Sequence, residues 1–164
     1  MKIVVVGTRG IPDIQGGVET HCEELYPRLA AMGHDVTVVR RSCYVTPQNK
    51  IKEYKGVHLK DIYAPRRKSI EAIVHTFLAI IYARWVGADV LHIHAIGPAL
   101  LIPLARLLGL RVVMTHHGPD YDRQKWNKTA KSVLRGGERM GANFANEVIV
   151  ISTVLDNILR ELYD

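Results

Sequence analysis

The chain is poor in cysteine, with only Cys22 and Cys43 among 164 residues. Their separation fits neither a zinc site nor a disulfide framework, which is the pattern of a reducing compartment. Cys22 falls on the apolar face of a predicted helix and is expected to be a buried thiol. Long hydrophobic runs are also missing. The longest, Ala72 to Ala83, is interrupted by His75 and Thr76 and falls short of the roughly 20 residues a spanning helix needs. Met1-Lys2 leads straight into an apolar run with no small-residue cleavage site after it, so no secretory leader is expected. These absences point to a cytoplasmic domain. Aromatic residues make up 7% and belong to no known nucleic-acid module, so nucleic acid is not an expected partner. Acidic side chains are the minority, 16 against 22 Lys and Arg, for a net charge of +6. That balance favours anionic partners without choosing among them.

What is present reads as one globular domain, with 48% apolar and 23% charged residues. Short β-branched runs recur at Ile3–Val6, Val36–Arg40, Val57–Ile62, Val90–His94, Val112–His116 and Val148–Ile151. Most are continuously apolar, the mark of strands covered on both faces. Helical segments lie between them. Val18, Cys22, Leu25, Leu29 and Met32 form one stripe that ends at Gly33, with Pro27 as an internal defect. Ser69 is placed to cap a helix over Ile70–Val86, apolar nearly all round and hence expected in the core. Pro98 is placed to open a helix that stops at Gly109, with a bend at Pro103, and Ser152 to cap Thr153–Tyr163. Residues 43–58 read as a polar, loop-like insertion. The alternation predicts an α/β fold, a doubly wound, Rossmann-like parallel sheet of about six strands with helices on both faces. Ligands of such sheets bind beyond the carboxyl ends of the strands.

Three segments at those ends carry candidate chemistry. The first, Gly7 to Gly17, is neither the dinucleotide fingerprint nor a Walker loop, because its glycines fall at 7, 10, 16 and 17 and no Gly-Lys-Ser/Thr follows. Gly16 and Gly17 stand at a helix start, where bare backbone N–H groups and the helix dipole favour a phosphate. Arg9 supplies a nearby charge, and Glu19 either bonds the loop amides or touches a ligand. In the second, Val90 to His94, alternation puts His92 and His94 on one face of the strand. His92 is expected in the core and His94 at the edge of the cleft. The third is Thr115-His116-His117-Gly118-Pro119-Asp120. Its sharp turn leaves His117 and Asp120 facing the cleft and His116 buried on the other face. A zinc set of His92, His94, His116 and His117 is an alternative, but no carboxylate at helical ligand spacing accompanies it. A dinucleotide-binding Rossmann protein is another, disfavoured by Arg40 where an acidic ribose ligand would sit. Arg40-Arg41 and Arg66-Arg67-Lys68 are expected along one rim, where they suit a solvated surface or an anionic membrane.

The stretches Gly16-Gly17-Val18-Glu19, "RLAAMGHDVTVV", "ADVLHIHA", "RVVMTHHGPD" and "NEVIVIS" follow one another at spacings that resemble the N-terminal domain of glycosyltransferase family 4. These are retaining enzymes of the GT-B fold that include envelope-polysaccharide mannosyl-, glucosyl- and rhamnosyltransferases, and "HHGPDYDRQKW" resembles the rhamnosyltransferase-like branch. The resemblance runs through essentially the whole chain. It implies that Gly16 and Gly17 approach the donor diphosphate and the acceptor, and that His117 is the catalytic residue contacting the transferred sugar. It also places His94 and Asp120 on the acceptor side. The implied partners are a nucleotide sugar and a glycan or lipid-linked acceptor, with no cofactor and no metal required. It further implies a second, nucleotide-sugar-binding domain that these residues do not contain, so that this half alone would be inactive.

Overall fold

The pleat of the first strand sets the architecture. In β1 (Lys2–Val6), Val4 and Val6 pack into one apolar cluster while Ile3 and Val5 pack into another. A strand that is apolar on both faces must be covered on both. The structure, a computed structural model, describes residues 1–67, 70–118 and 126–163. After β1 come α1 (Gly17–Ala31), β2 (Asp35–Arg41), a 3-10 turn (Ser42–Tyr44), β3 (Glu53–Tyr54), β4 (Val57–Ile62) and α2 (Glu71–Trp85). The second half holds β5 (Val90–His94), α3 (Ile96–Ala99), α4 (Ile102–Leu107), β6 (Val112–His116), α5 (Lys128–Phe144), β7 (Glu147–Val150) and α6 (Thr153–Tyr163).

The strands form one seven-stranded sheet in the order β3-β4-β2-β1-β5-β6-β7. All pairs are parallel except the β3–β4 hairpin. This is the expected doubly wound α/β sheet with one strand more. The extra strand, β3, is two residues long and joined to β4 through Lys55 and Gly56, both at positive φ, as a tight hairpin demands. A pair of residues is too short to show any period. Helix α1 covers the Ile3/Val5 face through Cys22 and Tyr26, and α2, α3 and α4 contribute to the Val4/Val6 face. No described helix is long and apolar enough to cross a membrane.

Several local expectations are corrected. Met32 caps the C-terminus of α1 and is 71% exposed, so the apolar stripe ends one turn earlier, at Leu29 and Ala30, with Tyr26 its buried anchor. Ser69 lies outside the described residues, and Ile70 stands at the N-cap of α2. Helix α2 is not sunk in the core, because Phe77, Ile81 and Trp85 form an exposed outward stripe at four-residue spacing. The expected helix from Pro98 to Gly109 starts at Ile96 and is broken into α3 and α4. Pro103 supplies no N–H to a continuous helix and suits the first turn of a new one. Ser152 does cap α6, its hydroxyl accepting from the Leu155 amide at 3.1 Å.

Arg40 is not on a rim. It is fully buried and ties the insertion to the sheet. Its guanidinium donates to Asp61 at 2.7 Å and to the carbonyls of Asn49, Ile51 and Ile11 at 2.7, 3.2 and 3.4 Å. Asp61 keeps partial access to water, but the bonds to the Asn49 and Ile11 carbonyls are buried. We therefore expect Arg40→Ala to lower the unfolding free energy by about 3 kcal/mol, at the lower end for a broken buried pair, as measured by urea unfolding. A change within error would show that the insertion is held by other contacts.

Candidate functional site

Strands β1 and β5 are neighbours at the centre, and the chain leaves β1 toward β2 on one side and β5 toward β6 on the other. The carboxyl edge of such a switch point opens a crevice. Here it is a cleft of about 430 Å³ lined by residues at or just beyond the ends of β1, β2 and β5, namely Gly7, Arg9, Arg41 and Ala95, together with the start of α1. Gly7 has φ +97°, and a Cβ there would collide with the carbonyl of His94. That close approach draws the loop after β1 onto the end of β5.

Gly16 and Gly17 both line the cleft. Gly16, at φ +146°, turns the chain into α1, and no side chain caps the helix. The first amides of α1 thus have no intrahelical acceptor. A Cβ on Gly17 would meet nothing within 4 Å, so its open side is cleft space. Glu19 is on the cleft wall but buried, and its carboxylate accepts from the Thr8 hydroxyl at 2.8 Å and the Arg9 amide at 3.2 Å. Of the two roles open to it in the sequence, the geometry shows the brace for the glycine loop. Arg9 is exposed, its guanidinium 5.1 Å from the centre of the Tyr44 ring.

The wall also holds Arg41, which the sequence placed on the rim, and Glu71 and Tyr44, which it did not single out as site residues. Arg41 pairs with Glu71 at 2.9 Å and donates to the Gly7 carbonyl at 3.1 Å, while Tyr44 donates to the other Glu71 oxygen at 3.1 Å. The Arg41 Nε atom is buried without a partner. Contact with Glu71, after burial itself, pushes the Tyr44 hydroxyl pKa up. The doublet Arg40-Arg41 held the only signal: neighbours on a strand face opposite ways, so burial of one frees the other for the opposite face.

Beside the cleft lies an array of histidines. His92 and His94 share the α1 face of β5, as alternation predicts, and their rings stack at 4.3 Å between centroids. The Tyr26 hydroxyl from α1 bridges His92 Nδ1 and His94 Nε2. His92 Nε2 reaches the Thr115 hydroxyl at 2.7 Å, and His94 Nδ1 reaches His117 Nε2 at 2.9 Å. The result is a continuous chain, Thr115–His92–Tyr26–His94–His117, whose protons can all point one way or all the other. His94 is fully buried with both ring nitrogens engaged, whereas His117 is half-buried at its open end. His21, which no motif singled out, stands over this end with its ring centroid 5.1 Å from that of His117. Finding it requires knowing how α1 is rotated on the sheet.

The pleat sends His116 the other way. Its Nδ1 accepts from the Gly118 amide at 3.0 Å, so Nε2 carries the proton and donates to buried Glu138 at 2.7 Å. The four-histidine zinc set therefore does not converge, with His116 across the sheet and His92 committed to Tyr26 and Thr115. Asp120 lies outside the described residues.

Burial is the first cause that lowers the pKa values of His75, His92 and His117 to about 4, and it drives that of His94 well below its ordinary value. Electrostatic interaction with a neighbouring group adds to it, with Arg41 for His75 and with the His21 imidazole for His92 and His117. All four are neutral near pH 7. As pH falls from 6.5 toward 4, the unfolded chain takes up protons that the native state refuses. Stability should be level above this window and fall steadily through it. Urea midpoints that stay constant across that range would contradict the neutral array.

Comparison with known proteins agrees with this architecture. A sucrose-phosphate synthase structure from Thermosynechococcus elongatus superimposes with a TM-score of 0.68 at 19% identity, covering 100% of this chain and 83% of that one. A second structure of sucrose-phosphate synthase from the same organism gives 0.75 at 20% identity, covering 99% of this chain and 45% of that one. At such identities the likeness is one of fold, and the chain spans less than half of the second relative. No curated protein matches the sequence. The family model for Glycosyltransferase Family 4 matches residues 15–164, from the glycine loop to the last helix. The chain belongs to Glycosyltransferase Family 4, and its doubly wound sheet is a Rossmann-like domain of the GT-B type.

Proposed function

We propose that this domain is the acceptor-side half of a retaining glycosyltransferase that moves a hexose from a nucleotide sugar to a glycan or lipid-linked acceptor in envelope polysaccharide synthesis. One observation carries the reading: the uncapped start of α1 at Gly16–Gly17 opens into the switch-point cleft, beside the edge where His117 ends the histidine chain. Exposed helix amides are suited to a diphosphate. A neutral, half-buried imidazole is suited to a sugar hydroxyl, and the carbonyl of His117 to the positive charge that develops on the transferred sugar. His94 then acts through His117 by fixing its ring, Arg9 and Arg41 supply positive potential, and Asp120 belongs to the acceptor side. Catalysis in this reading needs no metal and no cofactor, because the phosphate is held by backbone and arginine. It does need a second nucleotide-binding domain to close the cleft, so the 164 residues alone should show no transfer.

The test is made in the domain joined to its nucleotide-sugar-binding partner. Gly17→Val should lower kcat/KM by about 100-fold through misplacement of the donor, with a melting temperature close to the parent because the new side chain enters open space. His117→Ala should lower kcat by about 100- to 1,000-fold, the scale of a lost polar contact to the transition state. Parental kinetics in both variants would remove the cleft from the reaction.

A lipid-linked acceptor places the enzyme at the inner face of the membrane, and the stripe of Phe77, Ile81 and Trp85 beside Arg84 is suited to an anionic surface. Flotation with anionic vesicles should carry the domain upward at low salt. Replacing Phe77 and Trp85 with serine should abolish this, and flotation unchanged by that double replacement would exclude the stripe.

A further inference from the structure

Three imidazoles from three separate elements meet at one point. His21 comes from α1, His94 from the last position of β5 and His117 from the turn after β6. One ring nitrogen of each lies within 4.8 Å of the other two. We propose that this trio binds a single first-row divalent cation of the zinc type, with a fourth coordination position left to water or an anion.

The geometry is close to what such an ion requires. Tetrahedral zinc with bonds of 2.0–2.1 Å separates its nitrogen ligands by about 3.3 Å. His94 Nδ1 and His117 Nε2 are already 2.9 Å apart. His21 stands edge-on to both rings, at 64° to His94 and 80° to His117. It makes no hydrogen bond to a described residue, so a small rotation of its half-buried side chain completes the set.

The groups behind His94 favour the ligand form. A metal-bound imidazole carries its proton on the other nitrogen and donates it to a fixed acceptor. Here His94 Nε2 faces the Tyr26 hydroxyl, which passes its own proton to His92 Nδ1, while His92 Nε2 donates to Thr115. In that proton order the lone pair of His94 Nδ1 points at the vacant centre. His117 Nε2 serves the hydrogen bond to His94 in that order, so the ion would take its place once the His117 proton moves to Nδ1. All three ligands are imidazoles, the type suited to zinc, copper, nickel or cobalt. With no carboxylate among them the ion keeps its full charge and attracts an anion. The neighbours Val18 and Ala95 line the cleft, so that anion would come from the cleft side.

This site does not rest on the sugar-transfer reading and would compete with it, since a bound ion engages the His117 ring. The test is therefore made on binding alone, with the tag-free, metal-free chain. Cobalt(II) titration should give the visible absorption of a tetrahedral ion at one per chain, and calorimetry with zinc(II) should give the same stoichiometry. His21→Ala should lose both signals while its metal-free melting temperature matches the parent. Tyr26→Phe should keep the stoichiometry and weaken binding about 10- to 100-fold, as expected when a supporting hydrogen bond is lost. His58→Ala, at an exposed histidine of β4, should change nothing. No binding by the parent, or full binding by His21→Ala, would overturn the proposal, as would a loss in His58→Ala equal to that in His21→Ala.

Discussion

The contact between the backbone of Gly7 and the backbone of His94 governs the working edge of this domain. Two neighbouring strands, β1 and β5, end at the same level, and the chain leaves them in opposite directions. For the loop after β1 to cross this edge, it must lie against the end of β5 with no side chain between them, and Gly7 at φ +97° alone permits it. The rest follows by geometry. The loop then reaches α1 at Gly16, the start of α1 looks into the crevice, and the second and third turns of the helix bring Cys22 and Tyr26 down onto the sheet.

The pleat then divides five histidine and threonine positions between two faces. His92, His94, Thr115 and His117 turn toward α1 and join one polar chain, while His116 turns toward α5 and holds Glu138. Buried polar groups are costly unless each finds a partner, and linked networks meet that need with few leftover atoms. Glu138 also accepts from the Tyr163 hydroxyl at 2.7 Å, which ties α6 to the same strand end. The tandem His116-His117 therefore does two jobs, one anchoring the turn from below and one presenting an imidazole above it.

Much of this was legible in the residue order. Strands covered on both faces show as unbroken β-branched runs, and a strand period of two separates His92 and His94 from Leu91 and Ile93. The glycine loop announced a helix start with open backbone. What stayed hidden depends on contacts between distant segments. His21 and Tyr26 look like any polar and aromatic residues of an amphipathic helix until α1 is laid across β5. Arg40 and Arg41 form an undivided basic pair until the register of β2 with β4 buries one beside Asp61. The exposed stripe of α2 looked like core because apolar periodicity reports a face, and here apolar residues occupy nearly every face.

Arg40 holds the insertion that crosses above it through main-chain oxygens, those of Asn49 and Ile51, and reaches the Ile11 carbonyl of the glycine loop as well. Such recognition is indifferent to which side chains the segment carries. The path of the insertion over the rim can thus be inherited while its outward residues drift, and a family built this way can alter what its rim greets without redesigning the scaffold beneath.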